Sequence, residues 1–271
     1  MTLKGGYNMQ TITSKDNENI KHIRKLKEKK YRNEYNEYVI EGIKLVKEAI
    51  LENVRIKTIV LCDGCDIESF FEQKILYEIA KLNCIVVAEG IFNDLTDVEK
   101  PQGILAVVER KNKSEEIDYS QDIIVILDNI QDPGNLGTIL RTVDSIGTNQ
   151  IIVSKGTVDS YSSKVIRSSM GAIFRLNIIE CEDLIKKIDE IKKHKFTVIA
   201  TSLETTKSIY DIDFNKTAIV IGNEANGVKT EILEKVDCLA KIPMLGRTES
   251  LNASVATGIV LYEYVRQKIN R

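Results

Sequence analysis

The sequence lacks features that several large classes of protein need. It has two histidines and five cysteines in 271 residues. The CxxC formed by Cys62 and Cys65 has no second pair and no histidine cluster to complete a zinc site. We therefore expect these thiols to pack as small apolar groups and the protein to hold no metal. An odd number of cysteines without framework spacing is typical of a reducing compartment.

Long apolar runs and phosphate-binding loops are also absent. No stretch reaches about 18 apolar residues and the first residues lack signal-peptide regions, which predicts a soluble cytoplasmic protein without membrane contact. The chain has neither a Walker-type GxxxxGK motif nor a GxGxxG after a strand, so the common nucleotide-phosphate loops are excluded.

The charge is unevenly distributed, although its net value is only −2. Within a helix predicted over 14–32, the run 21–32 has a single acid, Glu28, against seven basic residues: Lys21, Arg24, Lys25, Lys27, Lys29, Lys30 and Arg32. Two interpretations fit this run. A clustered basic helix is the electrostatic footprint of a phosphate-backbone partner, and short charge runs also form solvated helix faces.

Hydrophobic periodicity divides the chain into two α/β parts. We predict a flexible lead-in over 1–13, with Met9 an alternative start of translation. Strands alternate with helices over 14–110, which indicates a small domain with a largely parallel sheet. The polar, aperiodic segment 111–121 is the predicted linker. The alternation repeats over 122–271, which we predict to be a second domain with a parallel sheet.

Four loops that follow predicted strands of the second domain have unusual compositions. They are DNIQDPGNLG (128–137), TSLETT (201–206), NEANG (223–227) and PMLGRTESLN (243–252). Because ligands bind outside the carboxyl ends of parallel strands, we expect all four loops at one edge of one sheet. Single Gly and Asn residues are routine in turns, but loops that only close a fold do not need so many of them together with acids.

The last element is predicted to be a helix over 250–269 with Ser250 as its N-cap. Leu251, Val255, Ile259 and Tyr262 recur at helical spacing, and small or apolar residues occupy the other faces, which predicts a helix buried all round. The N–H groups at its start then need partners, from caps, water or a ligand. A capped core helix and a ligand site are both consistent with this stretch.

Arg141 and Glu224 are the charged residues of these loops and helices that most need an explanation. Arg141 lies off the buried stripe of its helix, and it fits either a phosphate or ribose contact or an ion pair with an acid across the sheet. Glu224 lies between Gly222 and Gly227, where the backbone can approach a ligand closely. Taken one at a time, the loops indicate only a nucleotide-like ligand at a switch point.

Taken together, three segments resemble a known family. DPGNLGTILRT, IVIGNEANGV and IPMLGRTESLNASVATGIVLYE occur in this order and end the chain. They closely resemble the three motifs of the SpoU (TrmH-like) family of SPOUT RNA methyltransferases, over 123–269. SKDNENIKHIRKL, YVIEGIKLVKEA and PQGILAVV resemble the substrate-binding domain of the ribosomal-RNA branch of that family, a smaller α/β domain of the ribosomal-protein L30e-like kind.

The resemblance implies a fold, a cofactor and an assembly. The fold is a C-terminal SPOUT domain with a parallel sheet and a deep trefoil knot, the cofactor is S-adenosylmethionine, and the assembly is a homodimer whose active site takes residues from both chains. The implied catalytic positions are Asn135, Arg141, Glu224, Ser250 and Asn252. The implied cofactor-binding positions are Thr201, Leu203, Gly222, Ile242, Met244 and Leu251. The implied RNA-binding positions are Lys21, Arg24, Lys25, Lys29, Lys30 and Arg32.

The reaction expected from this resemblance is methyl transfer to a ribose 2′-hydroxyl of RNA, with 23S ribosomal RNA as the expected substrate; DNA lacks this hydroxyl. The alternatives are a transfer-RNA substrate and a non-catalytic RNA-binding protein on the same scaffold. The basic front domain argues against an enzyme of small nucleotides. Arg141 is the family's proposed base, but a guanidinium normally stays protonated. An electrostatic clamp on the adjacent phosphate and the developing alkoxide is the other interpretation of Arg141.

Overall fold

The computed structural model describes residues 9–111 and 116–270. Its elements in chain order are β1 (Met9–Ile12), α1 (Glu18–Lys25), α2 (Lys29–Tyr35), β2 (Glu37–Glu41), α3 (Ile43–Leu51), β3 (Ile56–Cys62), α4 (Gln73–Ala80), β4 (Cys84–Val87), α5 (Glu89–Leu95), β5 (Ile104–Glu109), β6 (Ile123–Leu127), α6 (Pro133–Ser145), β7 (Gln150–Ser154), α7 (Ser163–Ser169), β8 (Asn177–Cys181), α8 (Leu184–Lys193), β9 (Thr197–Thr201), β10 (Thr217–Ile221), α9 (Thr230–Leu233), β11 (Cys238–Ala240) and α10 (Ala253–Ile269). Among the residues described, no helix is both long enough and apolar enough to span a membrane.

The chain forms two compact units. The first contains residues 1–112 together with Tyr161–Phe174, and the second contains residues 113–160 and 175–271. Helix α7 therefore groups with the first unit, where it packs against β2. The domain limits predicted from the sequence, 14–110 and 122–271, stay a prediction.

Met9–Ile12 form an edge strand where a flexible lead-in was predicted. β1 pairs in parallel with β4, from Met9 opposite Cys84 to Ile12 opposite Val87, and Ile12 is buried. The prediction was wrong for these residues because a strand of four residues with one buried side chain is too short to show a period of two. Residues 1–8 of the predicted lead-in lie outside the described residues.

The sheet of the first unit is mixed. Its strand order is β1-β4-β3-β5-β2, and β5 runs antiparallel to both β2 and β3. The prediction of a largely parallel sheet was therefore wrong here. The alternation of strands and helices in the sequence indicates the type of each element but not the direction in which each strand runs. Here β5 begins at the edge of the sheet where β4 ends, so it runs opposite to β4.

The basic run folds as two helices, α1 and α2, where one was predicted. Arg32 of α2 is buried, and its Nη1 donates to the carbonyls of Leu26 (2.8 Å) and Lys27 (2.7 Å). These carbonyls follow the last turn of α1, where backbone oxygens lack helical partners, so Arg32 acts as a side-chain cap. This corrects the predicted RNA-binding role of Arg32, because its guanidinium is taken up inside the fold.

The sheet of the second unit is parallel throughout its described strands, in the order β11-β9-β10-β6-β7-β8. β6, β7 and β10 are buried along their whole length, as strands covered on both faces are. The predicted parallel sheet is confirmed, and the loops after β6, β9, β10 and β11 meet at one edge. The chain goes from β6 to β7 and β8 on one side and to β9, β10 and β11 on the other. The switch point therefore lies between β6 and β10.

Half of the predicted linker 111–121 packs within the second unit. Ile117 is buried, the Tyr119 hydroxyl donates to Glu190 of α8 (2.7 Å), and the Tyr119 ring stacks on His194 with centroids 3.6 Å apart. The sequence did not predict this packing, because two apolar side chains among many polar ones give no periodic signal. Residues 112–115 of the linker lie outside the described residues.

Helix α10 begins at Ala253, three residues after the predicted start. Asn252 is its N-cap, and the Asn252 Oδ1 accepts hydrogen bonds from the N–H groups of Ser254 (2.9 Å) and Val255 (3.3 Å). The predicted cap, Ser250, makes no such bond. Two residues of good capping chemistry lie close together in this stretch, and their spacing alone could not decide between them.

One face of α10 is exposed, which contradicts the predicted burial all round. The helix packs against α6 and buries Val260 and Leu261. Val255 and Tyr262, which recur at helical spacing on another face, are 51% and 54% exposed. The sequence pattern correctly indicated that this face is apolar, but no element in the described part of the chain covers it.

Candidate active site

The loop between β6 and α6 is fixed by two aspartates. Asp128 is fully buried, and its Oδ2 accepts a hydrogen bond from the backbone N–H of Lys229 (3.0 Å), which follows the loop after β10. Asp132 is the N-cap of α6 and accepts from the backbone N–H of Asn135 (2.8 Å). Neither aspartate was predicted as a site residue. Asp followed by Pro133 at the first helical position is a start signal that could have identified Asp132.

Glu224 joins the loop after β10 to the start of α6. Its Oε1 accepts hydrogen bonds from Asn135 Nδ2 (2.9 Å) and from the backbone N–H of Asp132 (3.1 Å), and its Oε2 accepts from the N–H of Gln131 (3.1 Å). Partial burial of the carboxylate acts to raise its pKa, but these donors outweigh that effect and hold the pKa of Glu224 below its ordinary value. The link is therefore intact at neutral pH and is lost as the pH falls through this lowered pKa.

Asn252 extends the link to the third loop. Its Nδ2 donates to Asn135 Oδ1 (2.9 Å), while its Oδ1 caps α10. The amide of Asn135 thus uses both ends, donating to Glu224 and accepting from Asn252. We call Glu224, Asn135 and Asn252 the polar relay. It brings together three of the five predicted catalytic residues at the switch point of the sheet.

Arg141 lies on α6, about 9 Å along the helix axis from Asn135 at 1.5 Å per residue. It is exposed, whereas Leu136, Ile139 and Leu140 of the same helix are fully buried. Within residues 9–111 and 116–270, Arg141 has no hydrogen bond and no acidic partner. An ion pair across the sheet, one of the two interpretations of Arg141, is therefore absent among those residues.

The segment from Ile242 to Leu251 forms the loop between β11 and α10. It is mostly exposed, and its backbone and side chains make no hydrogen bond to other residues in the described part of the chain. Ser250, a predicted catalytic residue, lies here and stays outside the polar relay. The loop thus presents many unpaired N–H and C=O groups beside the capped start of α10.

The predicted cofactor residues lie at the carboxyl ends of three neighbouring strands. Thr201 ends β9 and its hydroxyl donates to the carbonyl of Val220 (3.3 Å), and Leu203 follows it with 57% exposure. Gly222 follows β10 and is buried. Ile242 and Met244 are half-buried and Leu251 is exposed in the loop after β11.

Gly222 is required by the close return of its own loop. Asn223 and Gly227 exchange two backbone hydrogen bonds of 2.9 Å each, so the chain closes tightly over the end of β10. A Cβ on Gly222 would lie 2.1 Å from the backbone N of Val228, which no side chain permits. In addition, Asn223 Nδ2 donates to the carbonyl of Asn129 (2.8 Å), a tie that the sequence analysis missed and that an Asn directly after a strand could have suggested.

The sequence matches two known protein-family models, one in each half of the chain. Residues 122–262 match the model of the SpoU rRNA Methylase family, and residues 17–106 match an MRM3-like substrate binding domain. The chain belongs to the SpoU rRNA methylase family. It is 34% identical over 255 residues to the 23S rRNA (guanosine(2553)-2′-O)-methyltransferase RlmP of Bacillus subtilis (strain 168), an alignment that covers 94% of this chain and 98% of the relative.

Solved structures of SpoU-type enzymes have the same fold. The AdoMet-bound rRNA methyltransferase from Sinorhizobium meliloti is 30% identical, with a TM-score of 0.80 and coverage of 96% of this chain and 98% of that one. The SpoU methyltransferase AviRb from Streptomyces viridochromogenes, in complex with AdoMet, is 25% identical, with a TM-score of 0.82 and coverage of 93% and 98%. The predicted family and the α/β SPOUT fold with its front substrate-binding domain are confirmed.

The residues present fit S-adenosylmethionine, the cofactor of SpoU-type enzymes. The loop Ile242 to Leu251 offers backbone donors and acceptors for a purine, and exposed apolar side chains at the same sheet edge, Leu203 and Leu251, offer surface for its rings. No group of three or more His, Cys, Asp or Glu residues in the described part of the chain could hold a metal ion.

Proposed function

We propose that this chain transfers a methyl group from S-adenosylmethionine to a ribose 2′-hydroxyl of 23S ribosomal RNA. The observation that carries the proposal is the polar relay at the switch point with the unpaired cation Arg141 on the same helix, in a chain of the SpoU family. The bound cofactor supplies a methyl group already activated by positive charge. What remains for the protein is to orient two reactants and to stabilise the oxygen as it loses its proton.

Arg141 fits the role of an electrostatic clamp better than that of a base. A guanidinium keeps its proton in proteins, and Arg141 is exposed with no carboxylate beside it among the described residues. It is therefore free to donate to a phosphate and to the developing alkoxide, while the hydroxyl proton passes to water. The polar relay holds the start of α6, and through it Arg141, in place against the loops after β10 and β11.

The assembly we propose is a cytoplasmic homodimer with a trefoil knot in the second unit. Supporting the dimer, α10 exposes Val255, Tyr262 and Ile269 along one side, and a second copy of an apolar helix face is a common cover for such a surface. We expect the double variant Val255→Asp, Tyr262→Asp to sediment as a monomer and the wild-type protein to sediment as a dimer. An unchanged dimer would place the interface elsewhere.

The RNA contact of the first unit is proposed to rest on three lysines. Several cations of the segment 14–32 already have carboxylate partners: Lys15 with Asp94 (2.6 Å), Lys21 with Glu18 (3.2 Å) and Lys27 with Asp97 (3.1 Å). Lys25, Lys29 and Lys30 are exposed and have no acidic partner in the described part of the chain. We call these three the lysine triad.

Replacing the lysine triad by glutamine is expected to weaken RNA binding and to lower the slope of log K against log salt by about 2 to 3, because each phosphate contact releases counterions. The matched control replaces Lys15, Lys21 and Lys27 by glutamine, the same charge change in the same segment 14–32. Their charges are already offset by carboxylates, so we expect a small effect on the slope. A slope equal to that of wild type in the lysine-triad variant would show that the run is only a solvated face.

Asn252→Asp is expected to separate helix capping from the polar relay. A carboxylate still accepts from the N–H groups of Ser254 and Val255, so the free energy of unfolding should stay within about 0.5 kcal/mol of wild type. It cannot donate to Asn135 Oδ1, and turning the Asn135 amide to face the new carboxylate would take Nδ2 away from Glu224. We therefore expect methyl transfer to slow about 10- to 100-fold. A wild-type rate in this variant would show that the polar relay does not contribute to methyl transfer.

The direct test of the proposed substrate is primer-extension mapping of ribose methylation in ribosomal RNA from cells with and without this gene. The expected result is one stop in 23S rRNA that disappears with the gene. Identical maps would contradict a ribosomal substrate, and the same comparison on transfer RNA would then test the alternative.

A further inference from the structure

Two lysines of the lysine triad lie beside an aromatic ring. The Nζ atoms of Lys25 and Lys30 lie 5.5 and 5.4 Å from the centroid of the Tyr31 ring, and Lys29 is two residues before it on α2. Tyr31 is half-buried, so part of its ring stays open to solvent. Two of the three unpaired lysines of the first unit's basic run thus lie beside one aromatic side chain, and the third precedes it on the same helix.

The Tyr31 ring is held in its orientation by a short aromatic series. Tyr31 and Tyr35 are stacked, with centroids 6.1 Å apart and planes inclined by 12°. His22 packs against the other side of this pair, 4.7 Å from Tyr35, and its Nε2 is hydrogen-bonded to Glu37 Oε2 (2.7 Å). A ring fixed in this way loses little conformational freedom when a ligand stacks on it.

We propose that Tyr31 and the lysine triad form a platform on which one unpaired base of the RNA substrate stacks, with the lysines on the flanking phosphates. Bases inside a duplex are covered by their neighbours, whereas bases in loops, bulges and ends can be splayed onto aromatic side chains. Stacking accepts any base, and lysine stems are long and flexible enough to move from the ring to the phosphates on either side. The ligand class is therefore a single-stranded stretch of RNA.

This inference rests on the proposed function, because it assumes an RNA substrate. It adds that the first unit recognises unpaired nucleotides and that Tyr31 is the residue that distinguishes them from a duplex. Charge alone would not make this distinction, since both forms of RNA carry phosphates.

Tyr77 offers a matched control in the same unit. It is more exposed than Tyr31, and Lys81 lies 4.1 Å from its ring centroid. That lysine, however, is paired with Glu78 (2.9 Å). Tyr77 therefore has an aromatic ring and a nearby cation but not the unpaired charge of the lysine triad.

The test measures binding of the full-length protein to two fluorescent RNAs of equal length, a hairpin with an unpaired loop and a blunt duplex. Tyr31→Ala and Tyr31→Leu are expected to weaken hairpin binding about 5- to 150-fold, the usual effect of removing a stacked base contact, and to leave duplex binding within about two-fold. Tyr31→Phe and Tyr77→Ala are expected to bind both RNAs like wild type. A 2-aminopurine in the loop should be quenched by wild type and less so by Tyr31→Leu.

Two outcomes would overturn the platform. Tyr31→Leu, which keeps an apolar contact with Tyr35, could bind the hairpin like wild type, or it could weaken hairpin and duplex equally while melting like wild type. If either occurs while the wild-type protein still methylates RNA, the platform is wrong and the proposed function stands. A wild-type protein that neither binds the RNAs nor transfers a methyl group to ribosomal RNA would overturn both.

Discussion

Arg141→Ala is expected to slow methyl transfer about 100- to 1000-fold, the usual effect of removing a preorganised donor from a developing oxyanion. The variant should melt like wild type, because Arg141 is exposed, has no partner among the described residues and lies on a helix where Ala is favoured. Its affinity for S-adenosylmethionine should not change, since the cofactor residues lie on the loops after β9, β10 and β11.

Arg175 is the matched control for Arg141. Its guanidinium is bound bidentately to Asp144, also on α6, with Nε and Nη2 at 3.0 and 2.8 Å from the carboxylate oxygens. Arg175→Ala should therefore lower the free energy of unfolding by about 1 to 3 kcal/mol and leave the chemical step intact. Single-turnover rates with saturating RNA and melting curves of both variants distinguish the loss of catalysis from the loss of stability. Near-normal turnover in Arg141→Ala would remove Arg141 from the mechanism.

Gly222→Ala is expected to lower the free energy of unfolding by about 3 kcal/mol or more, and to abolish cofactor binding with it. The added Cβ would meet the backbone N of Val228 at 2.1 Å and the backbone C of Gly227 at 2.2 Å. Neither atom can rotate away as a side chain does. To make room, the loop that carries Glu224 must open, which also breaks the polar relay.

Gly246→Ala provides the comparison for Gly222→Ala. No atom lies within 4 Å of a Cβ built on Gly246, which is in the exposed loop before α10, so its unfolding free energy should stay within about 0.5 kcal/mol of wild type. Urea denaturation of both variants, followed by circular dichroism, gives the two values. Equal stabilities would contradict the close loop return at Gly222.

The sheet edge that holds the site could be predicted from the sequence because its signals are local. Buried strands such as β6 and β10 are continuous apolar runs, and parallel strands bring their following loops together. The polar relay could not be predicted in this way. Its members are separated by 89 and 117 positions along the chain, and only the resemblance to a family named them together; which atom donates to which depends on the folded backbone.

Two predictions were wrong because they depend on contacts that the sequence does not show. Arg32 reads as one more exposed cation of a basic run, but the break between α1 and α2 turns its guanidinium inward onto orphan carbonyls. The apolar pattern of α10 indicated which faces are apolar, but it could not predict that Val255 and Tyr262 stay exposed among the described residues. Periodicity indicates which side chains favour burial, but it does not identify the element that buries them.

Ribose methylation by this protein is tested by incubating the purified protein with S-adenosylmethionine labelled in its methyl group and unmodified 23S ribosomal RNA. The RNA is then digested to nucleosides, which are identified by mass spectrometry. We expect the label in one 2′-O-methylated nucleoside. With Arg141→Ala, we expect almost no label in that nucleoside. Label on a base, or no transfer to RNA by protein that binds the cofactor, would contradict ribose methylation by this protein.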